Sequence, residues 1–235
     1  MKSKLIFFFC LFFLSLNAQK NIHHRWNQML NKFVSENGQV NYKAWIFEQD
    51  NLNTYVTTLK GFHPKDKDSK NQKLAFWINL HNALTVQLIL KNYPIKSIHN
   101  LNSLLEIKCF LSSNKEYSLE DIKNKILRKM NEPRIHFAIN FTSKSSPRLL
   151  NQAFQERNLE NQLIKITNDF LKDSTKNKIS SSQLKLSEIF KKFKNDFGTR
   201  DQVYIFIQNY TGISLNKPKI NYFIYNWDLN ESVLK

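Results

Sequence analysis

Along most of this chain, apolar residues recur every three to four positions, the spacing that gathers them on one face of a helix. His23 to Ser35 places Trp26, Met29, Leu30, Phe33 and Val34 together, and Asn37-Gly38 stops the run. Gln39 to Tyr42 reads as a short extended piece, and Ala44 to Leu59 as a second helix with Leu52, Tyr55, Val56 and Leu59 inward. Gln72 to Asn92 is apolar on more than one face, which predicts a buried helix. Tyr93-Pro94 ends it, because a residue before proline avoids helical dihedrals.

The period then shortens. Ile107 to Leu111 and Glu116-Tyr117 flank Ser112-Ser113-Asn114 as a predicted hairpin. Ser118 with Asp121 forms a capping box that opens a helix running to Met130. Pro133 breaks it, and the short apolar run Arg134 to Asn140 predicts a central strand. Helices follow at Leu159 to Leu171, from Ser187 through Lys194 and at Asp201 to Tyr210, with a last strand at Ile220 to Ile224. The expected class is α+β, several helices packed around a small, mainly antiparallel sheet in a single domain.

The N-terminus has a different pattern. Met1 to Lys4 is basic, Leu5 to Leu16 is almost wholly apolar and Asn17-Ala18-Gln19 breaks the run. A membrane-spanning helix needs about 20 apolar residues, so this shorter run reads as a signal peptide, residues 1–18, with one globular domain over 19–235; an uncleaved N-terminal anchor is the other reading. The expected destination is secretion or the periplasm and envelope. Only Cys109 would remain after cleavage, so no intramolecular disulfide is expected. The formal net charge is +16, yet the lysines are spread over most helices with no dense block. Nucleic acid is therefore not the expected partner; electrostatic association with anionic envelope surfaces remains compatible with that balance.

Three polar clusters interrupt apolar sequence. In Ala75 to Leu84, Trp77, Asn79, His81 and Asn82 sit on the buried helix; Asn79 and Asn82 share a face, and His81 points elsewhere. In the expected strand, Arg134, His136, Ala138 and Asn140 would line one side, with Ile135, Phe137 and Ile139 on the other. His136 is the candidate acid or base because imidazole titrates near neutrality. In Tyr225 to Asn230, Asp228 is the candidate to orient that histidine and Trp227 to line a pocket. Ser143, Ser145 and Ser146 follow the expected strand, and Ser146 is the candidate nucleophile, although no Gly-x-Ser-x-Gly elbow surrounds it. The histidines have no ligand spacing on a helix, so neither metal nor cofactor is implied.

Ala75 to Leu84, Pro133 to Ile139 and Tyr225 to Asn230 together resemble the family called domain of unknown function 547. Weaker likenesses are Gly38 to Tyr42, Ser118 to Arg128, and Leu186 to Gly198 with Phe193 and Asp196-Phe197. The resemblance implies a domain common in secreted or envelope-associated proteins and no particular reaction. It also implies two cysteines where this chain has Phe141 and Ser146, and Glu-His where it has Lys123-Asn124. Those departures favour a binding module for a small molecule or peptide, contacted by Trp77, Asn79, His81, Asn82, Arg134, Asn140, Ser143 and Trp227. A degenerate hydrolase or transferase of cysteine-protease-like or transglutaminase-like layout using His136, Asp228 and Ser146 is the second reading. An envelope protein in which these motifs only organise the fold is the third.

Overall fold

The longest helix organises the molecule because it has almost no polar face. A computed structural model describes residues 22–232; the signal-peptide reading of residues 1–18 lies outside them. Helix α1 spans His24–Phe33, α2 Tyr42–Trp45 and α3 Gln49–Leu59, the last two joined by a 3-10 turn, Ile46–Glu48. Helix α4, Lys70–Asn92, starts where the Ser69 hydroxyl accepts from the Gln72 amide and is buried continuously from Leu74 to Val86. Trp26, Trp45, Phe33 and Tyr55 stack at one end of the core, with centroid separations of 5.0–5.8 Å.

A 3-10 segment, Ile98–Glu106, leads to the hairpin of β1, Phe110–Ser112, and β2, Lys115–Tyr117, with Phe110 opposite Tyr117. Ser113 and Asn114 both have positive φ, the geometry of a two-residue turn. The capping box of Ser118 and Asp121 is present and opens α5, Leu119–Asp121. The chain then widens into a π-helical stretch, Ile122–Leu127, and tightens again in a 3-10 turn, Arg128–Met130.

The expected central strand is not a strand. Residues Ile135–Ala138 form a short helix, α6, packed on α7, Leu159–Lys172. A short apolar run bounded by breakers has no periodicity to separate strand from buried helical turn. Pro133 stands in the turn that leads into the helix, where the Ile135 amide donates to Glu132 and the His136 amide to Pro133. Phe137 stacks on Phe170 at 4.7 Å and meets Phe190, Phe197 and Phe206, so α6 is the plug of a second aromatic cluster.

Beyond α7 come β3, Lys178–Ile179, and β4, Leu184–Leu186, then α8, Glu188–Lys192, α9, Lys194–Phe197, α10, Arg200–Thr211, and β5, Ile220–Tyr222. The β3–β4 pair is antiparallel and β4–β5 parallel. The architecture is α+β, with α2, α3, α5 and α7 packed on α4, α6 and α10 packed on α7, and the strands held in two small sheets. The C-terminal segment then threads back through the fold. The Leu229 amide donates to the Lys96 carbonyl, the Asn230 amide to Thr142, and the Val40 amide to Asn230, at 2.8–3.0 Å.

Gly38 lets this seam close. Its φ is +81°, and a Cβ there would lie 2.4 Å from the Arg148 Cβ. Gly38→Ala is expected to cost more than about 1 kcal/mol, read as a lower urea midpoint, because both the backbone conformation and the close approach exclude a side chain.

Candidate functional site

The Asn residues of the sequence motifs replace backbone partners. Asn79 donates through Nδ2 to the Phe154 carbonyl at 2.8 Å and accepts at Oδ1 from the Phe154 amide at 3.0 Å. Asn82 donates to the Ala138 carbonyl and accepts from the Asn140 amide, both at 2.9 Å. Asn140 donates to the Pro147 carbonyl at 2.5 Å and accepts from the Thr142 amide at 2.7 Å. From α7, Gln162 does the same to Ala153 and Gln155. These carboxamides stand in for peptide groups along the irregular segment 138–155, whose buried amides and carbonyls need partners.

The histidine expected to share a face with Asn140 points elsewhere. His136 is 1 % exposed; its ring stacks on Phe193 at 4.0 Å, and its Nε2 lies 2.7 Å from an Asp196 carboxylate oxygen. Asp196 is also gripped bidentately by Arg128, at 2.6 and 2.7 Å. Asp228, the expected partner, is exposed and faces Lys144 at 3.2 Å. Ser146, the candidate nucleophile, accepts the Phe141 amide at 2.7 Å and is buried. The structure thus pairs His136 with Asp196 and leaves Asp228 and Ser146 in other networks. The one sequence signal for Asp196 was its place in the weaker Leu186 to Gly198 likeness. Arg134, expected to line the strand face, is committed to Glu132 and Glu160 at 2.6–3.0 Å.

Burial pushes the His136 imidazole down to about 4; the Asp196 carboxylate opposes that, while Arg128 and Lys123 reinforce it. Arg128 already neutralises Asp196 and keeps its carboxylate below the usual range, so little of that charge is left to hold a proton on His136. His81 is 1 % exposed and lowered to about 3 by burial and by Lys123. Neither of its ring nitrogens makes a hydrogen bond of sound geometry. Its ring meets Phe141 edge-on at 5.7 Å, and the Lys123 ammonium lies 5.3 Å from the same Phe141 ring. Trp77 is sealed against Phe76, His63 and Tyr117.

The remaining candidates run from the interior to the surface, with Ser143 buried and Trp227 partly exposed. The Ser143 hydroxyl donates to the Tyr225 phenol at 3.0 Å, and Tyr225 packs on Trp227 at 4.4 Å. Trp227 is half-buried, with the exposed His99 ring 5.5 Å away and the exposed Lys192 ammonium 5.6 Å from its ring. The Trp227 carbonyl accepts from Ser97 at 2.7 Å, which anchors the backbone beneath this aromatic pair. Thr142, next to Ser143, holds φ at +52° with its hydroxyl unpartnered, an uncommon state for a β-branched residue. Among the described residues, no three His, Cys, Asp or Glu side chains gather as a metal site, and no helix is long and apolar enough to cross a membrane.

This is an α+β protein whose buried amide network supports an aromatic and basic rim. The family model described as Protein of unknown function, DUF547 matches residues 65–171, so the chain resembles that family through α4, the capped helix after the hairpin, α6 and the amide-held segment. Gly38 to Tyr42, Leu186 to Gly198 and Tyr225 to Asn230 lie outside the matched span. No curated protein matches the chain, and no solved structure does.

Two measurements test this account of the interior. Asn82→Ala orphans the Ala138 carbonyl and the Asn140 amide, and is expected to cost about 1–3 kcal/mol for each group in urea unfolding. His23, His81 and His136 are all held below 6.5 in the folded state, so the unfolded chain takes up their protons first. Stability is therefore expected to fall as pH drops below about 6.5, by up to about 1.4 kcal/mol per pH unit per histidine, levelling only near their folded values. In His136→Gln the loss between pH 7 and pH 5 should shrink by on the order of 1–2 kcal/mol.

Proposed function

We propose that this protein is an exported, non-catalytic binding module for a small molecule or peptide, with recognition at the Trp227 rim. The basic and apolar N-terminal pattern supports export. The observation that carries the binding reading is the contrast in access. Tyr225 and Trp227 present a ring pair beside Lys192 and His99, whereas His136 has a fully buried side chain. A half-exposed aromatic platform with a cation above it suits a ligand that has a flat or apolar part and an anionic group.

The enzyme reading has one favourable feature, the His136–Asp196 pair, which has the composition of an acid–base dyad. The geometry supports it less well. The Asp196 carboxylate is shared with Arg128, and the Ser146 hydroxyl accepts a backbone amide away from that pair. His136 and Asp196 then serve to lock α6 against α9.

Tryptophan fluorescence separates the readings. Trp26, Trp45 and Trp77 are 1 %, 0 % and 4 % exposed, so iodide should quench mainly Trp227. Within a panel of short peptides and small aromatic carboxylates, a binder is expected to protect Trp227 from iodide. Trp227→Ala should weaken its affinity by on the order of 30-fold, the effect of an aromatic anchor, and His136→Gln should change it by less than about 3-fold. Binding that survives Trp227→Ala but is lost in a folded His136→Gln protein would reverse the proposal.

A further inference from the structure

The π-helical stretch brings a lysine inside the protein. The Ser118–Asp121 box fixes the start of the helix, and the wider turn Ile122–Leu127 rotates Lys123 inward with Ile122 and Leu127. π-helical turns are rare and recur at functional sites. Lys123 is 5 % exposed, the one lysine among the described residues that is buried. Its amine pairs with Glu120, whose other oxygen accepts from the Asn124 amide at 2.6 Å. Below it lies the Phe141 ring, which His81 meets edge-on at 5.7 Å. The roof is thin, because Glu120, Asn124 and Phe141 are each partly exposed. Arg128 and Lys192 contribute further positive charge around the amine.

This set has the parts of a nucleophilic amine site. Desolvation and neighbouring cations favour the neutral amine, while the Glu120 pair favours the ammonium. Glu120 is placed to take the proton that the amine must lose. The surrounding cations select for a ligand that carries an anionic group.

We propose that Lys123 is a covalent capture site for a small oxo acid, with the amine forming a reversible imine at the ligand's carbonyl carbon. The ammonium passes a proton to Glu120. The nitrogen lone pair forms the C–N bond as the carbonyl π electrons move to oxygen, which gives a carbinolamine. The second N–H proton moves to that oxygen to make the hydroxyl, Glu120 returns its proton to the hydroxyl, and water leaves as the C=N bond forms, with the third proton kept on the iminium nitrogen beside the Glu120 carboxylate. Hydrolysis reverses every step, so no oxidant or reductant is needed. This site goes beyond the Trp227 reading and stands or falls without it.

Reductive trapping tests it directly. The folded protein is incubated near neutral pH with limiting glyoxylate and cyanoborohydride, and carboxymethyl-lysine is mapped by mass spectrometry. Lys123 is expected to be labelled severalfold faster than the exposed Lys125 and Lys129, because burial and the neighbouring cations favour its neutral amine while Glu120 stands ready to take its proton. Pyruvate, added first, should compete for Lys123 and leave the exposed lysines unchanged. Acetaldehyde, which lacks the anionic group, should show a smaller preference for Lys123. Lys123→Arg should lose the fast label alone. If folded wild-type protein labels Lys123 no faster than Lys125 and Lys129, then Lys123 is an ordinary ion-paired lysine and the proposal fails, whatever the Trp227 experiment finds.

Discussion

Everything in the interior depends on finding partners for the backbone of one irregular segment. Residues 138–155 pass through the middle of the protein with little regular structure, and buried peptide groups without partners would each cost free energy. Asn79 and Asn82 on α4, Gln162 on α7 and Asn140 within the segment supply those partners as side-chain amides. A carboxamide has the donor and acceptor of a peptide group, so one side chain can close two bonds at once. That requirement explains why so apolar a helix as α4 keeps two asparagines in its buried stretch.

The segment held in this way connects the interior to the surface. Asn140 positions Thr142, Ser146 returns the chain through its bond to the Phe141 amide, and Ser143 reaches Tyr225 beside Trp227. The C-terminal strand-like segment is stitched to the same loop through Thr142 and Asp228. The rim around Trp227 is thus tied by hydrogen bonds to the same segment that the buried carboxamides hold in place.

Charge is divided between the interior and the rim. Arg128 and Asp196 hold His136 inside, Arg134 joins Glu132 to Glu160, and Lys123 closes on Glu120. Partly buried ion pairs of this kind contribute little net stability, yet removing the partner of the more buried group, Lys123 or Arg134, would leave its charge uncompensated. Most of the lysine excess is left on the outside, where it biases the protein towards anionic surroundings.

Elements with strong periodicity or distinct punctuation were legible before any tertiary contact was known. The buried helix α4, the capping box at Ser118, the hairpin turn at Ser113-Asn114 and the helices around Leu163 and Phe206 are all legible from spacing and caps. The conformation of Arg134 to Asn140 was not, because a short apolar run satisfies strand and buried helix equally until its neighbours are known. Asp196 was not recognised as the partner of His136 for a related reason: the two are 60 positions apart, and only the packing of α6 on α9 brings them to 2.7 Å. The burial of Lys123 likewise depended on a π turn that capping signals do not specify. Local patterns determine which residues can form an element, but pairing across the fold is decided by which faces must be buried together, and that is a property of the whole tertiary arrangement.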